Sequence, residues 1–116
     1  IILITTVPES KIHTEKCIFN EFFKKKIDQS IFNKCHFKKV EDKDRYDLVK
    51  NILSDISSTN NNISIYDPYP LLCPEETCHN FNSKNNFFML NDKDHLSLEA
   101  SKFISKDLSS FLKKNF

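Results

Sequence analysis

Apolar residues fall in short bursts along this chain, and their spacing changes from one burst to the next. Ile1 to Val7 is a β-branched run broken by Pro8, a pattern that suits a buried parallel strand. Ile63-Ser64-Ile65-Tyr66-Asp67 reads as a second strand, ended by Pro68 and Pro70. Val49, Ile52, Leu53 and Ile56 recur at helical spacing behind Asp42 or Asp44, either of which can cap the helix. A longer stripe of Ala100, Phe103, Ile104, Leu108, Phe111 and Leu112 predicts a final helix capped by Ser97. Phe87-Phe88-Met89-Leu90 is short and apolar, and either extends the sheet edge or fills the core. Glu9 to Lys39 reads as a long, partly irregular excursion, with a short helix through Cys17, Ile18, Phe22 and Phe23. Ser57 to Asn62 is a loop, and Leu71 to Asn86 a second irregular one. Strand, helix, strand, helix predicts an α/β domain with a parallel sheet under helical cover. Ligands bind such sheets beyond the carboxyl ends of the strands, where Pro8-Glu9, Asp67-Pro68 and the Asp92–His95 loop should gather. There is no internal repeat and no linker.

At 116 residues the chain is one domain at most, or part of one. A net charge of +1 gives no basic field for nucleic acid and no acidic tail. Lys24-Lys25-Lys26 is most simply a solvated face. Glycine is absent, so left-handed backbone positions must fall on Asn or Asp, with Asn60-Asn61-Asn62 and Asn85-Asn86 the natural sites. No apolar run approaches the ~20 residues that span a bilayer. Ile1-Ile2-Leu3-Ile4 is too short for a signal peptide and has no basic segment before it. A chain that opens inside an apolar run reads as cut from a longer domain.

Cys17, Cys35, Cys73 and Cys78 allow three pairings. Proximity favours Cys17–Cys35 and Cys73–Cys78, each closing an irregular segment and each stabilising by roughly 2–3 kcal/mol. Two disulfides imply an oxidising compartment such as a bacterial periplasm, whereas reduced buried thiols would suit a cytosolic protein. Cys35-His36 with Cys73, Cys78 and His79 also offers zinc-type ligands, but the spacing is at the upper end and no Gly supplies a tight turn. Cys73-Pro74-Glu75-Glu76-Thr77-Cys78-His79 is a stretched form of a haem-attachment run. Neither reading is adopted, so no metal and no cofactor are expected.

The chemistry concentrates in Leu90-Asn91-Asp92-Lys93-Asp94-His95-Leu96-Ser97. A histidine that takes a proton from a nucleophile needs a carboxylate to hold its ring and steady its charge. Asp92 lies three residues ahead of His95, and Asp94 competes for the same role. Taken singly, Asp92 is a turn residue and His95 a surface or capping histidine. No serine sits in a nucleophile setting, and Ser97 suits a cap better than an attack.

Asp-x-x-His-Leu-Ser ahead of the closing helix resembles the last conserved block of the SGNH hydrolases. It is especially similar to the SGNH domain fused to the C-terminus of the membrane-bound acyltransferase-three family. Ile1 to Glu9, ending Val-Pro-Glu, and Ile65-Tyr66-Asp67-Pro68 followed by Leu72-Cys73 and Cys78 agree in order with that domain. The resemblance covers essentially the whole chain. It implies that residues 1–116 are one partial domain, the C-terminal portion of a three-layer, flavodoxin-like SGNH fold whose N-terminal strands are missing. Asp92 and His95 become two members of a Ser-His-Asp triad. The family's serine lies in a Gly-Asp-Ser block, and its oxyanion hole uses a Gly and an Asn from two further blocks. None of these blocks is in this Gly-free chain, and Ala100-Ser101 stands where relatives often have Gly-Ala.

The implied activity moves an acyl group, usually acetyl, onto or off a glycan hydroxyl at the periplasmic face of the bacterial inner membrane. The implied partners are an upstream SGNH segment, a membrane acyltransferase domain of the same chain, and a polysaccharide acceptor such as O-antigen or peptidoglycan. Alone, the chain should be inactive, and poorly stable or prone to associate through its unpaired sheet edge. A free-standing SGNH esterase or lipase, or a non-catalytic remnant acting as a binding or structural piece, are the alternatives.

Overall fold

The computed structural model of the chain describes residues 1–16 and 35–116. In order, the elements are β1 (Ile2–Ile4), β2 (Phe37–Lys38), a 3-10 turn (Lys39–Glu41), α1 (Lys43–Ser58), β3 (Ser64–Tyr66), α2 (Tyr69–Leu72), β4 (Thr77–Cys78), β5 (Phe81–Asn82), β6 (Phe87–Phe88) and α3 (Leu98–Asn115). The short helix expected through Cys17 and Phe23, and the Lys24–Lys26 run, lie outside the described residues.

The two expected strands form and pair in parallel, with Leu3 opposite Ile65 and Ile4 opposite Tyr66. Both α1 and α3 lie against β3. The fold is therefore α/β as predicted, with a short parallel sheet of two strands among the described residues. β1 is shorter and wetter than the sequence suggested: it spans three residues, and Ile1 and Ile4 are exposed. Pro8 is not what ends it, because pairing stops after the Thr5 amide donates to the Tyr66 carbonyl (3.0 Å).

α3 follows its stripe. Ala100 is buried, Phe103, Ile104, Leu108 and Phe111 are half-buried, and Leu112 is exposed. Ser97 caps it, accepting from the Ala100 amide at 3.0 Å. On α1 only Val49 and Leu53 of the expected face are half-buried, whereas Ile52 and Ile56 are exposed. Asp42 precedes α1 but its side chain makes no cap bond. It is turned inward onto Arg45, Tyr69 and the Glu9 amide, which outbid the helix terminus for a nearly buried carboxylate.

The main apolar core is a cluster in which Phe37, Tyr69, Leu72, Cys73, Cys78, Met89 and Leu90 pack together. Leu71 to Asn86 is accordingly not an irregular loop. It finishes α2, pairs β4 with β2, and begins the β5–β6 hairpin, with Phe81 opposite Phe88. Phe87-Phe88-Met89-Leu90 is divided, the first two residues in that hairpin and the last two in the core. Asn86 takes the one left-handed conformation among the described residues (φ 56°). The Asn60–Asn62 turn manages without one, through the Asn62 amide donating to Asn60 Oδ1 at 3.0 Å.

Cys73 and Cys78 are joined, with Cα atoms 4.7 Å apart. Their sulfurs are thus not available as thiolates or thioether attachment points, which closes the zinc and haem readings through that pair. Cys35 is disulfide-bonded; Cys17 lies outside the described residues. No helix among the described residues is long and apolar enough to cross a membrane.

Candidate functional site

The site grows out of the core. Met89 and Leu90 are buried, and Leu90 bridges Leu96 in antiparallel fashion. The Asn91 amide donates to the His95 carbonyl at 2.8 Å, so residues 91–95 close into a tight loop just ahead of α3. Within it Asp92 Oδ1 accepts the amides of His95 (2.9 Å) and Asp94 (3.1 Å). A short carboxylate that bonds its own backbone in this way is why Asp suits such a turn. With Oδ1 so engaged, Oδ2 faces the imidazole, 2.8 Å from His95 Nδ1.

The spacing in the sequence therefore brings the two residues into contact. Asp94 is also near, with Oδ1 3.3 Å from the same Nδ1. The two carboxylates differ in what holds them. Asp92 has two backbone donors and a side chain 32% exposed, while Asp94 is 56% exposed. The His95 side chain is 75% exposed. Its hydrogen bond to Asp92, and then the charges of Asp92 and Asp94, raise its pKa above the ordinary 6.5. The Asp92 carboxyl is held well below the carboxylate range, first by the His95 amide, then by the Asp94 amide and the imidazole.

A carboxylate at Nδ1 fixes the neutral ring as the Nδ1–H tautomer and leaves Nε2 as the basic nitrogen. Among the described residues no side chain hydrogen-bonds to that nitrogen. Ser97 is fully committed elsewhere, accepting from Ala100 and donating to the Phe88 carbonyl. The ligand atoms of Asp92, Asp94 and His95 lie within 4.8 Å of one another, a spacing a metal ion could use, but Nδ1 is already engaged by Asp92, with the Asp94 charge 3.3 Å away.

Of the groups expected to gather here, only the segment after β1 reaches the loop, through the Ser10 amide donating to the Lys93 carbonyl at 2.8 Å. Glu9 pairs with Arg45 instead (3.0 Å), and Asp67 accepts from Thr5 and Tyr46, both at 2.6 Å. Two neighbours of the loop, Thr14 and Asn80, are nearly buried polar residues that no local pattern marked. A cleft of about 430 Å³ borders the loop, its walls including Glu15, Phe87, Phe88, Asn91 and Glu99.

Fold and site together describe an α/β domain with an imidazole–carboxylate pair exposed ahead of its last helix, an arrangement suited to acid–base work on an alcohol. Residues 1–110 match the SGNH domain in the form fused to AT3 domains, and the chain belongs to that family, an esterase/acyltransferase type of domain. Comparison with curated proteins and with solved structures finds no match.

Proposed function

We propose that residues 1–116 form the C-terminal portion of one SGNH domain that moves acyl groups, typically acetyl, onto or off glycan hydroxyls. His95 acts as general base and acid, and Asp92 orients it. The observation that carries this reading is the 2.8 Å contact between His95 Nδ1 and an Asp92 carboxylate whose other oxygen is tied by two amides, beside an exposed ring. In the reaction, Nε2 removes the proton of a serine hydroxyl supplied upstream as the oxygen attacks the acyl carbonyl. Nε2 then returns that proton to the leaving oxygen, and the acyl group rests on serine. A glycan hydroxyl or water next gives its proton to Nε2 as it takes the acyl group, and Nε2 passes that proton to the departing serine oxygen. Asp92 stabilises the imidazolium in both halves without taking a proton.

The exposed Ile1 and Ile4 on a two-stranded sheet, and exposed Leu48, Ile52 and Ile56 on α1, support a further segment of the domain covering these faces. The family's fusion to AT3 domains supports a membrane acyltransferase domain of the same chain as donor. The Cys73–Cys78 disulfide fits an oxidising compartment such as the periplasm. The phenylalanine, amide and carboxylate walls of the cleft suit a polyhydroxylated acceptor.

Without the serine and the oxyanion donors, the 116 residues alone do not turn over. Missing oxyanion donors alone cost on the order of 100–1000-fold. The test is hydrolysis of a chromogenic acetyl ester by this chain and by a chain extended upstream through a Gly-Asp-Ser block. Turnover is expected only from the extended chain, and serine-dependent turnover by the 116 residues would overturn the reading.

A further inference from the structure

We propose that Thr14 and Asn80 are positioning residues for the Asp92–His95 pair, a buried amide–hydroxyl clamp that fixes the loop backbone from beneath. The inference rests on the acid–base reading of that pair, but its test does not require turnover.

The need for a clamp follows from exposure. Water competes for an ion pair as open as this one, and such pairs hold little order by themselves. The order must come from groups that water does not reach. Thr14 is 4% exposed and Asn80 1%. Asn80 binds three partners at once. Its Oδ1 accepts the Leu90 amide (2.8 Å), its backbone carbonyl accepts the Met89 amide (2.6 Å), and its Nδ2 donates to Thr14 Oγ1 (2.9 Å). The Leu90 amide fixes which way the side-chain amide faces, since the reverse orientation would set two donors against each other.

Because Nδ2 fills an acceptor site on Thr14, the Thr14 hydroxyl proton is turned toward carbonyl oxygens. It faces two of them, Leu90 and Asp92, each 3.0 Å away. One proton shared between them draws together the carbonyls at the entry of the loop. Asp92 is then held at its own carbonyl by Thr14, while the Asn91–His95 hydrogen bond closes the loop around it. In that backbone setting its carboxylate presents one oxygen to the amides and the other to the imidazole. Threonine serves better than serine at such a point, because its branched side chain has fewer rotamers.

The test is an NMR titration of the His95 imidazole in the chain extended upstream, reading both midpoint and tautomer, for wild type, Thr14→Val and Thr14→Ser. Valine keeps the shape and removes the hydroxyl; serine keeps the hydroxyl. Thr14→Val should move the His95 midpoint down toward 6.5 and mix the tautomers of the neutral ring, and Thr14→Ser should restore both. A Thr14→Val protein that folds and titrates like wild type overturns the proposal. Should Thr14→Val not fold, Thr14→Ala against Thr14→Ser makes the same comparison, because alanine leaves room for water at the two carbonyls. A clamp of merely structural value would change stability and leave the His95 midpoint and tautomer alone. If the titration moves as expected while His95→Ala spares turnover of the extended chain, the clamp stands and the catalytic reading fails. The opposite pair of results sinks the clamp alone.

Discussion

Replacing Asp42 by alanine is the severest single test of how this scaffold is held. Asp42 is 5% exposed and accepts four hydrogen bonds. Two come from the Arg45 guanidinium (2.7 and 2.8 Å), one from the Glu9 amide (2.9 Å) and one from the Tyr69 hydroxyl (3.1 Å). Alanine strands the Tyr69 hydroxyl in the core and deprives the Glu9 amide, at about 1–3 kcal/mol for each buried group left unmade. Arg45 loses less, since it is partly solvated and keeps Glu9 and the Val7 carbonyl. The sum is about 3–5 kcal/mol, the range for removing one partner of a buried ion pair. Domains of this kind have a total stability of about 5–15 kcal/mol. At roughly 4 °C per kcal/mol the melting midpoint should fall by about 12–20 °C. Thermal denaturation followed by far-UV circular dichroism measures it, and urea denaturation gives the free-energy difference. Asp42→Asn, which retains one acceptor oxygen, should fall between alanine and wild type. A loss below about 1 kcal/mol for Asp42→Ala would show instead that these donors find other partners or water and that Asp42 does not hold the scaffold.

Three further outcomes are expected. Replacing both Cys73 and Cys78 by alanine should cost about 2 kcal/mol by the loop-closure relation, read as a lower urea midpoint. The Asp92–His95 pair should contribute to stability most fully between pH 3.8 and 6.5. Its imidazole half is complete below 6.5 and fades as pH rises through the raised folded value, while its carboxylate half is complete above 3.8 and fades as pH falls through the depressed one. The difference in denaturation midpoint between wild type and His95→Gln across pH should trace that window. His36 should act in the opposite direction. Its Nε2 is buried without a partner, its ring meets His79 edge-on at 4.4 Å, and burial and then His79 lower its pKa from 6.5. Stability from its neutral form is complete above 6.5 and is lost as pH falls below that, so His36→Gln should flatten the acid side of the stability profile.

Which features could be read from the sequence follows from how local their causes are. α3 was legible because a cap and six apolar positions repeat one period over many residues. β3 was legible from its Pro68 boundary. The pairings β2–β4 and β5–β6 were not, since strands of two residues carry no period, and Phe37 meets Cys78 across forty-one positions of chain. A local pattern offers Asp42 or Asp44 as a cap, but the partners that Asp42 takes, Tyr69 and Glu9, lie 27 and 33 residues away. The same division runs through the site. Asp92 and His95 touch at a spacing of three, which a motif can display. Thr14 meets Asp92 over a separation of 78, and Asn80 meets Thr14 over 66, so nothing near either residue announces it.

On the function proposed above, His95, oriented by Asp92, carries protons for an acyl transfer whose serine is supplied upstream. The most direct measurement is acetyl-ester turnover by the extended domain with His95 replaced by alanine. Loss of a positioned general base predicts a fall of about 100- to 10,000-fold, and turnover within about threefold of wild type would contradict the account.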